Sequence, residues 1–264
     1  MNEGVPVTYG SYLKLDQLLS LQQPLSEGPE HDEILFIVIH QVYELWFKEM
    51  LHELDHLQGL LRGGDTSRAQ HTLKRVLTVL KVVVHQIDIL ETMTPLEFLS
   101  FRERLESGSG FQSRQFRELE FVLGQKRRSA VEHYPEGGTD RRILETRYRQ
   151  PTVWDAFLHY LAGNGYAVPQ AVLERDVTQP VTGQPEVQRI LLRAYRQNPA
   201  VAQVCERFVD LDEGFMEWRY RHVKMVQRTI GTKRGTGGTA GAEYLMTTLN
   251  KPAFPDLWEI RAEL

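Results

Sequence analysis

Four places in the sequence hold reactive residue types at a spacing that chemistry can use. His52-Glu53-Leu54-Asp55-His56 matches H-E-x-x-H, in which two histidines one helical turn apart bind zinc and the glutamate acts as general base. Three features speak against zinc. The third histidine of an extended motif would fall where the chain has Arg62, and the usually uncharged fourth position is Asp55. At helical spacing both histidines also lie opposite the apolar residues, on a solvated polar face. The second place is Gly235-Thr236-Gly237-Gly238-Thr239-Ala240, which fits G-x-G-x-x-[GA], a dinucleotide fingerprint that needs a strand before it. A long helical pattern precedes it instead, so it reads as a flexible loop or as a lid over a small anionic or zwitterionic ligand.

The third place, Trp218 to Met225, sets His222 on a helix stripe with Phe215, Trp218, Met225 and Val226, among the cations Arg219, Arg221, Lys224 and Arg228. A histidine in an apolar wall near positive charge suits a haem, whose iron takes an axial imidazole and whose propionates need counter-charges. A lone helical histidine is more often a hydrogen-bonded core residue, so the stripe by itself leaves both readings open. His40 is the fourth. It follows Phe36 by one turn on the apolar side of its helix, where a histidine must find a partner in the protein or in a ligand.

The elements that must position these residues read as helices throughout. Phe36, Tyr43, Phe47, Met50, Leu54, Leu57 and Leu61 recur at three and four, which predicts one helix over about 31–61. Its start, Ile34 to Ile39, is apolar all round and is expected in the core. A second helix is expected over about 67–91, after a turn at Gly63-Gly64-Asp65. Thr94-Pro95-Leu96-Glu97 reads as a capping box with proline at the first helical position, and the helix it starts carries Phe98, Phe101 and Arg102. After a loop at 106–110, further helices are expected over 113–123, 153–161, 186–195 and 200–230; the rest of 126–185 has no clear period. With no alternating strand pattern, the fold class is all-α, a helical bundle in a single domain over 1–264.

Composition bounds the function. The 31 basic and 35 acidic residues give a formal charge of -4, without the positive field that nucleic acid requires. The longest apolar run has six residues, against the roughly 20 that span a bilayer. The N-terminus lacks a basic and then apolar leader, which predicts a cytoplasmic protein. Cys205 is the only cysteine, so an internal disulfide, a Cys-based zinc site or a c-type haem attachment is excluded.

Five separated runs resemble the tryptophan 2,3-dioxygenase family, in the family's order: 9–19 (YGSYLKLDQLL), 36–48 (FIVIHQVYELWFK), Phe101-Arg102 with 107–113 (SGSGFQS), 218–224 (WRYRHVK) and 233–238 (KRGTGG). The resemblance extends from about Tyr9 to Trp258. It implies an all-α homotetramer, a dimer of dimers, that binds haem b and opens the indole ring of L-tryptophan with O2 to give N-formylkynurenine. It further implies that His222 is the axial iron ligand and that His40 accepts a hydrogen bond from the indole N–H. Phe36 and Phe98 would be apolar walls, Arg102 would bind the substrate carboxylate, and Thr236 would hold the substrate's polar end. Ser109 and Gly110 would lie near the haem, and Tyr9, Tyr12 and Leu13, within an exchanged segment 1–20, would reach a neighbouring subunit's site. Phe98 departs from bacterial relatives that have a tyrosine there, and the lost hydroxyl is expected to weaken carboxylate binding. A haem sensor or carrier would share His222 without needing Arg102, His40 and a closing loop together. A zinc hydrolase would use the H-E-x-x-H run and no haem.

Overall fold

The computed structural model of the chain describes residues 6–28, 30–106, 108–231, 233 and 245–264. Among these there are helices and no strand. Two short helices, α1 (Tyr9–Leu13) and α2 (Leu15–Leu18), lead through an extended segment to α3 (Asp32–Arg62) and α4 (Thr66–Leu90). Then follow α5 (Pro95–Arg102), α6 (Arg114–Val122), α7 (Arg128–Glu132), α8 (Thr139–Arg149), α9 (Val153–Gly163) and α10 (Gln170–Leu173). The chain continues through α11 (Pro185–Gln197), α12 (Pro199–Ile230) and α13 (Pro255–Glu259).

The helix boundaries follow local chemistry. The Asp65 carboxylate caps α4 by accepting from Arg68 N, and Gly64 makes the preceding turn at φ +73°, where a side chain is strained. The capping box at Thr94 forms as the spacing predicts, with Pro95 opening α5. It fixes the start of the helix that carries Phe98 and Arg102.

Helix α4 lies between α3 and α12, while α3 also packs against α9 and α6. The buried stripes Leu54, Leu57 and Leu61 of α3 and Leu73, Val76 and Leu80 of α4 meet in the core. Closeness of α4 and α12 depends on Gly214, where an added Cβ would come within 2.8 Å of the Leu80 side chain. A smaller cluster of Phe121, Ala130, Val131, Tyr134 and Leu144 lies beneath α7 and α8.

Two expectations are corrected. The start of α3 is not in the core formed by the described residues: Ile39 is buried, but Ile34 and Val38 are 42% and 37% exposed because no element among those residues covers that side. The aperiodic region 126–185 contains α7, α8 and α10 in addition to the expected α9. Helix α8 buries only Leu144 and is held by tertiary contacts. The buried Lys126 ammonium donates to the carbonyls of Arg147, Tyr148 and Gln150 at 2.8–2.9 Å, which satisfies its last turn.

Candidate active site

The first turns of α3, the end of α5, the loop 108–113, α6 and the C-terminal half of α12 enclose one cavity. Most of its wall is apolar, and histidines stand on two of the helices that form it, His40 on α3 and His222 on α12.

His40 sits one turn beyond Phe36, and its ring packs on the Phe36 ring at 4.0 Å. Its Nδ1 lies 2.7 Å from the Phe36 carbonyl oxygen. A carbonyl only accepts, so Nδ1 carries the hydrogen and Nε2 keeps its lone pair. Burial pushes the His40 pKa below its ordinary value, against the Phe36 hydrogen bond and the Glu44 charge that favour protonation. The ring is therefore a neutral acceptor at neutral pH.

Phe36 meets Phe98 at 5.8 Å, and the fully buried Phe101 braces both, edge-on to Phe98 at 5.5 Å. Phe98 and Arg102 come from successive turns of α5, so the capping box that starts the helix sets them both on the cavity wall. Ser109 and Gly110 line the cavity as well, and the Ser109 hydroxyl accepts from Phe111 N at 3.2 Å.

His222 stacks on Trp218 with the rings 5.1 Å apart and only 4° from parallel. Burial pushes it down to about 4, with His40 and Arg117 adding in the same direction. Neither of its ring nitrogens has a hydrogen-bond partner among the described residues, although the ring lines the cavity. A neutral imidazole with a free lone pair on an apolar wall is suited to bind a metal ion held there by something else.

The sequence-predicted residues divide into three groups. Phe36, His40, Phe98, Arg102, Ser109, Gly110 and His222 come together around the cavity. Tyr9, Tyr12 and Leu13 stay away from it, 77%, 75% and 41% exposed on α1. Thr236 and the run 235–240 lie outside the described residues. Of the cations expected around His222, only Arg219 lines the cavity. Arg221 pairs with Asp88 and Glu91, Arg228 also approaches Glu91, and Lys224 is exposed. These three face away because they sit on the other sides of α12.

The structure adds lining charges that the pattern of the sequence hides: Arg117 and Glu120 on α6, and Arg127 beyond it. Arg117 and Glu120 are buried, 6% and 2% exposed. The signal that could have found them is the spread of Phe116, Leu119, Phe121 and Val122 around the helix. A helix apolar on two sides is enclosed, so its polar residues are enclosed with it.

His52 and His56 are exposed on α3, far along the helix from the cavity residues. Glu53 between them is buried and pairs with Arg75 at 2.6 Å, while Asp55 takes a two-pronged contact from Arg147 at 2.6 and 2.9 Å. The acidic residues of the H-E-x-x-H run are thus engaged by arginines.

A family described as tryptophan 2,3-dioxygenase matches residues 1–156 and 188–264. A protein of that name from Herpetosiphon aurantiacus is 62% identical over 258 residues, covering 98% of each chain. One from Anaeromyxobacter sp. strain K is 57% identical over 98% of this chain and 96% of its own, and one from Caulobacter vibrioides is 44% identical over 98% of both.

Proposed function

The chain belongs to the tryptophan 2,3-dioxygenase family, and from that premise we propose how its cavity carries out the reaction. The enzyme oxidises L-tryptophan with O2 and opens the indole C2–C3 bond to give N-formyl-L-kynurenine, the first step of the kynurenine pathway. The observation that carries the site reading is one apolar cavity walled by a neutral histidine with no hydrogen-bond partner among the described residues and by a neutral, backbone-anchored one.

The residues fit haem b. His222 would hold the iron, since it lines the cavity with a lone pair that nothing else among the described residues uses. Charge supports the same fit. Among the described residues the cavity wall carries the arginines Arg102, Arg117, Arg127 and Arg219 and the acids Glu44 and Glu120. A wall rich in guanidinium groups suits the carboxylates of two propionates. When bound, ferrous haem would supply the activation of O2.

The protein's work is then largely positioning. Arg102 offers a planar fork to the substrate carboxylate and so fixes one end of the molecule. Phe36 and Phe98 form an apolar wall for the indole and keep water out. His40 accepts the indole N–H at Nε2, because the Phe36 carbonyl holds its hydrogen on Nδ1. Together these set the C2–C3 bond in one place and orientation. Ser109 and Gly110 let the loop approach the cofactor closely, and Thr236 hydrogen-bonds the polar end of the substrate.

We assign the chain 1–264 as one catalytic domain acting in the cytoplasm as a homotetramer. Support for assembly comes from apolar residues left outside the core: Ile34, Val38 and Leu45 form a stripe on the outer side of α3, and Val82 and Ile89 another on α4. The exposed Tyr9, Tyr12 and Leu13 of α1, within an exchanged segment 1–20, complete a neighbouring subunit's site. No helix among the described residues is long and apolar enough to cross a membrane.

Visible absorption of the purified protein with a tryptophan assay tests the reading. A Soret band and N-formylkynurenine formation are expected. Turnover of tryptophan by protein free of haem would overturn the cofactor assignment, and a Soret band without turnover would favour a haem carrier.

A further inference from the structure

Glu120 is 2% exposed and meets three guanidiniums. Its Oε2 accepts from Arg117 and from Arg127, the latter at 2.6 Å, and its Oε1 accepts from Arg219 at 3.0 Å. All four residues line the cavity. Burial alone would push the Glu120 carboxyl up, but the charges of Arg117, Arg127 and Arg219 hold it below its ordinary value. Three guanidiniums meet this one carboxylate, and the buried Arg117 Nε has no hydrogen-bond partner among the described residues. A buried donor left in that state is costly unless a ligand satisfies it.

We propose that Glu120 is a positioning residue that gathers Arg117, Arg127 and Arg219 on one wall and lowers by one the positive charge they set toward the cofactor. The proposal rests on the haem reading above. Without the carboxylate, three guanidiniums would repel one another in a confined space, and one more positive charge would face the cofactor. Reduction of ferric to ferrous iron removes one positive charge, so positive charge nearby favours the reduced form. Glu120 therefore holds the reduction potential down, whereas each arginine raises it.

Two variants of the holoenzyme with opposite changes of charge test this. E120Q raises the cluster by one charge, and R127Q, at the partly exposed member, lowers it by one. Spectroelectrochemical titration is expected to show the iron potential shifted upward in E120Q and downward in R127Q, with E120D close to the parent protein. A purely structural role would not reverse sign between the two. Potentials that stay at the parent value, or that move in the same direction, would overturn the proposal. If E120Q does not fold, as judged by circular dichroism, R127Q still reads the sign: a downward shift supports the proposal and an upward or absent shift sinks it. Failure of the parent protein to bind haem, or full haem retention in H222A, would instead defeat the underlying cofactor reading.

Discussion

The two halves of α12 carry buried polar groups to opposite ends. Asp212, in the first half, is 1% exposed and accepts from Ala253 N, Phe254 N and Trp258 Nε1 at 2.9–3.0 Å. Those three donors anchor the C-terminal segment to an aromatic core of Trp154, Phe157, Phe208 and Phe254. His222, ten residues on, lines a cavity and has no hydrogen bond from the described residues. A polar group whose partners are all protein maintains structure, whereas one lacking them marks the place where something else must bind. The contrast assigns separate costs to the two positions.

The largest effect expected is a double dissociation between them. H222A should abolish stoichiometric haem binding while changing the stability of the haem-free protein by only about 1 kcal/mol, the scale of a lost aromatic pair. D212A strands three buried donors at about 1–3 kcal/mol each. It should lose at least about 3 kcal/mol of stability, roughly 6–12 °C in Tm, while folded molecules keep the Soret band. Calorimetry with a haem titration checks both. A normal Soret band in H222A, or an unchanged Tm in D212A, would break the comparison.

Arg102 extends the same logic to the substrate. Losing one partner of a buried charge pair costs roughly 2–5 kcal/mol, so R102A should lower kcat/KM for tryptophan by more than about tenfold. R102K should recover only part, since lysine keeps the charge and loses the fork. The control is an analogue without the carboxylate. Equal impairment with it and with tryptophan would show that Arg102 does not act through the carboxylate.

His40 is intermediate between Asp212 and His222, with one nitrogen satisfied by the Phe36 carbonyl and the other without a partner among the described residues. A single hydrogen bond is worth about 0.5–1.5 kcal/mol, so H40A should lower kcat/KM roughly 3- to 10-fold. An analogue methylated on the indole nitrogen has no N–H to offer and should show little further loss. Because burial lowers the His40 pKa, the neutral acceptor persists through neutral pH. The acid limb of kcat/KM assigned to it should fall below the ordinary histidine value of 6.5. A limb at or above that value, retained in H40A, would remove His40 from this role.

Much of this arrangement was legible in the sequence because α3, α4 and α12 are long and amphipathic, and because the Thr94 capping box fixes where Phe98 and Arg102 fall. The charged wall was not. In RQFRELEFV, arginine and glutamate at helical spacing read as a solvated face, and only tertiary enclosure buries Arg117 and Glu120. Helix α8 was hidden for the converse reason, since with Leu144 its only buried residue it shows no stripe. The outer stripe of α3 misled because apolar residues look alike in a sequence whether or not another element covers them.

The smallest effect concerns Asp256, which sits in the C-terminal segment that Asp212 anchors but is not fully satisfied. It is 0% exposed. Its Oδ1 accepts from Gln184 N at 2.6 Å and from Gln188 Nε2 at 3.0 Å, while Oδ2 has no partner. Burial pushes its carboxyl up to about 6 from 3.8, against those two hydrogen bonds and with some help from Glu259. A raised acid binds its proton more tightly in the folded chain than in the unfolded one. Its contribution to stability is therefore complete below about pH 4 and is lost as pH rises to about 6. Above that, a buried carboxylate with one bare oxygen remains. D256N keeps the Oδ1 acceptor and removes the charge, so at pH 8 it should be more stable than the parent by about 1–3 kcal/mol, given roughly 1.4 kcal/mol per pKa unit. Other carboxylates give slopes of the opposite sign, so the quantity to measure is the difference in Tm between the two proteins. That difference should open between pH 4 and pH 6 and then level off. A difference independent of pH, or a variant less stable at pH 8, would mean that Asp256 is as well satisfied as Asp212.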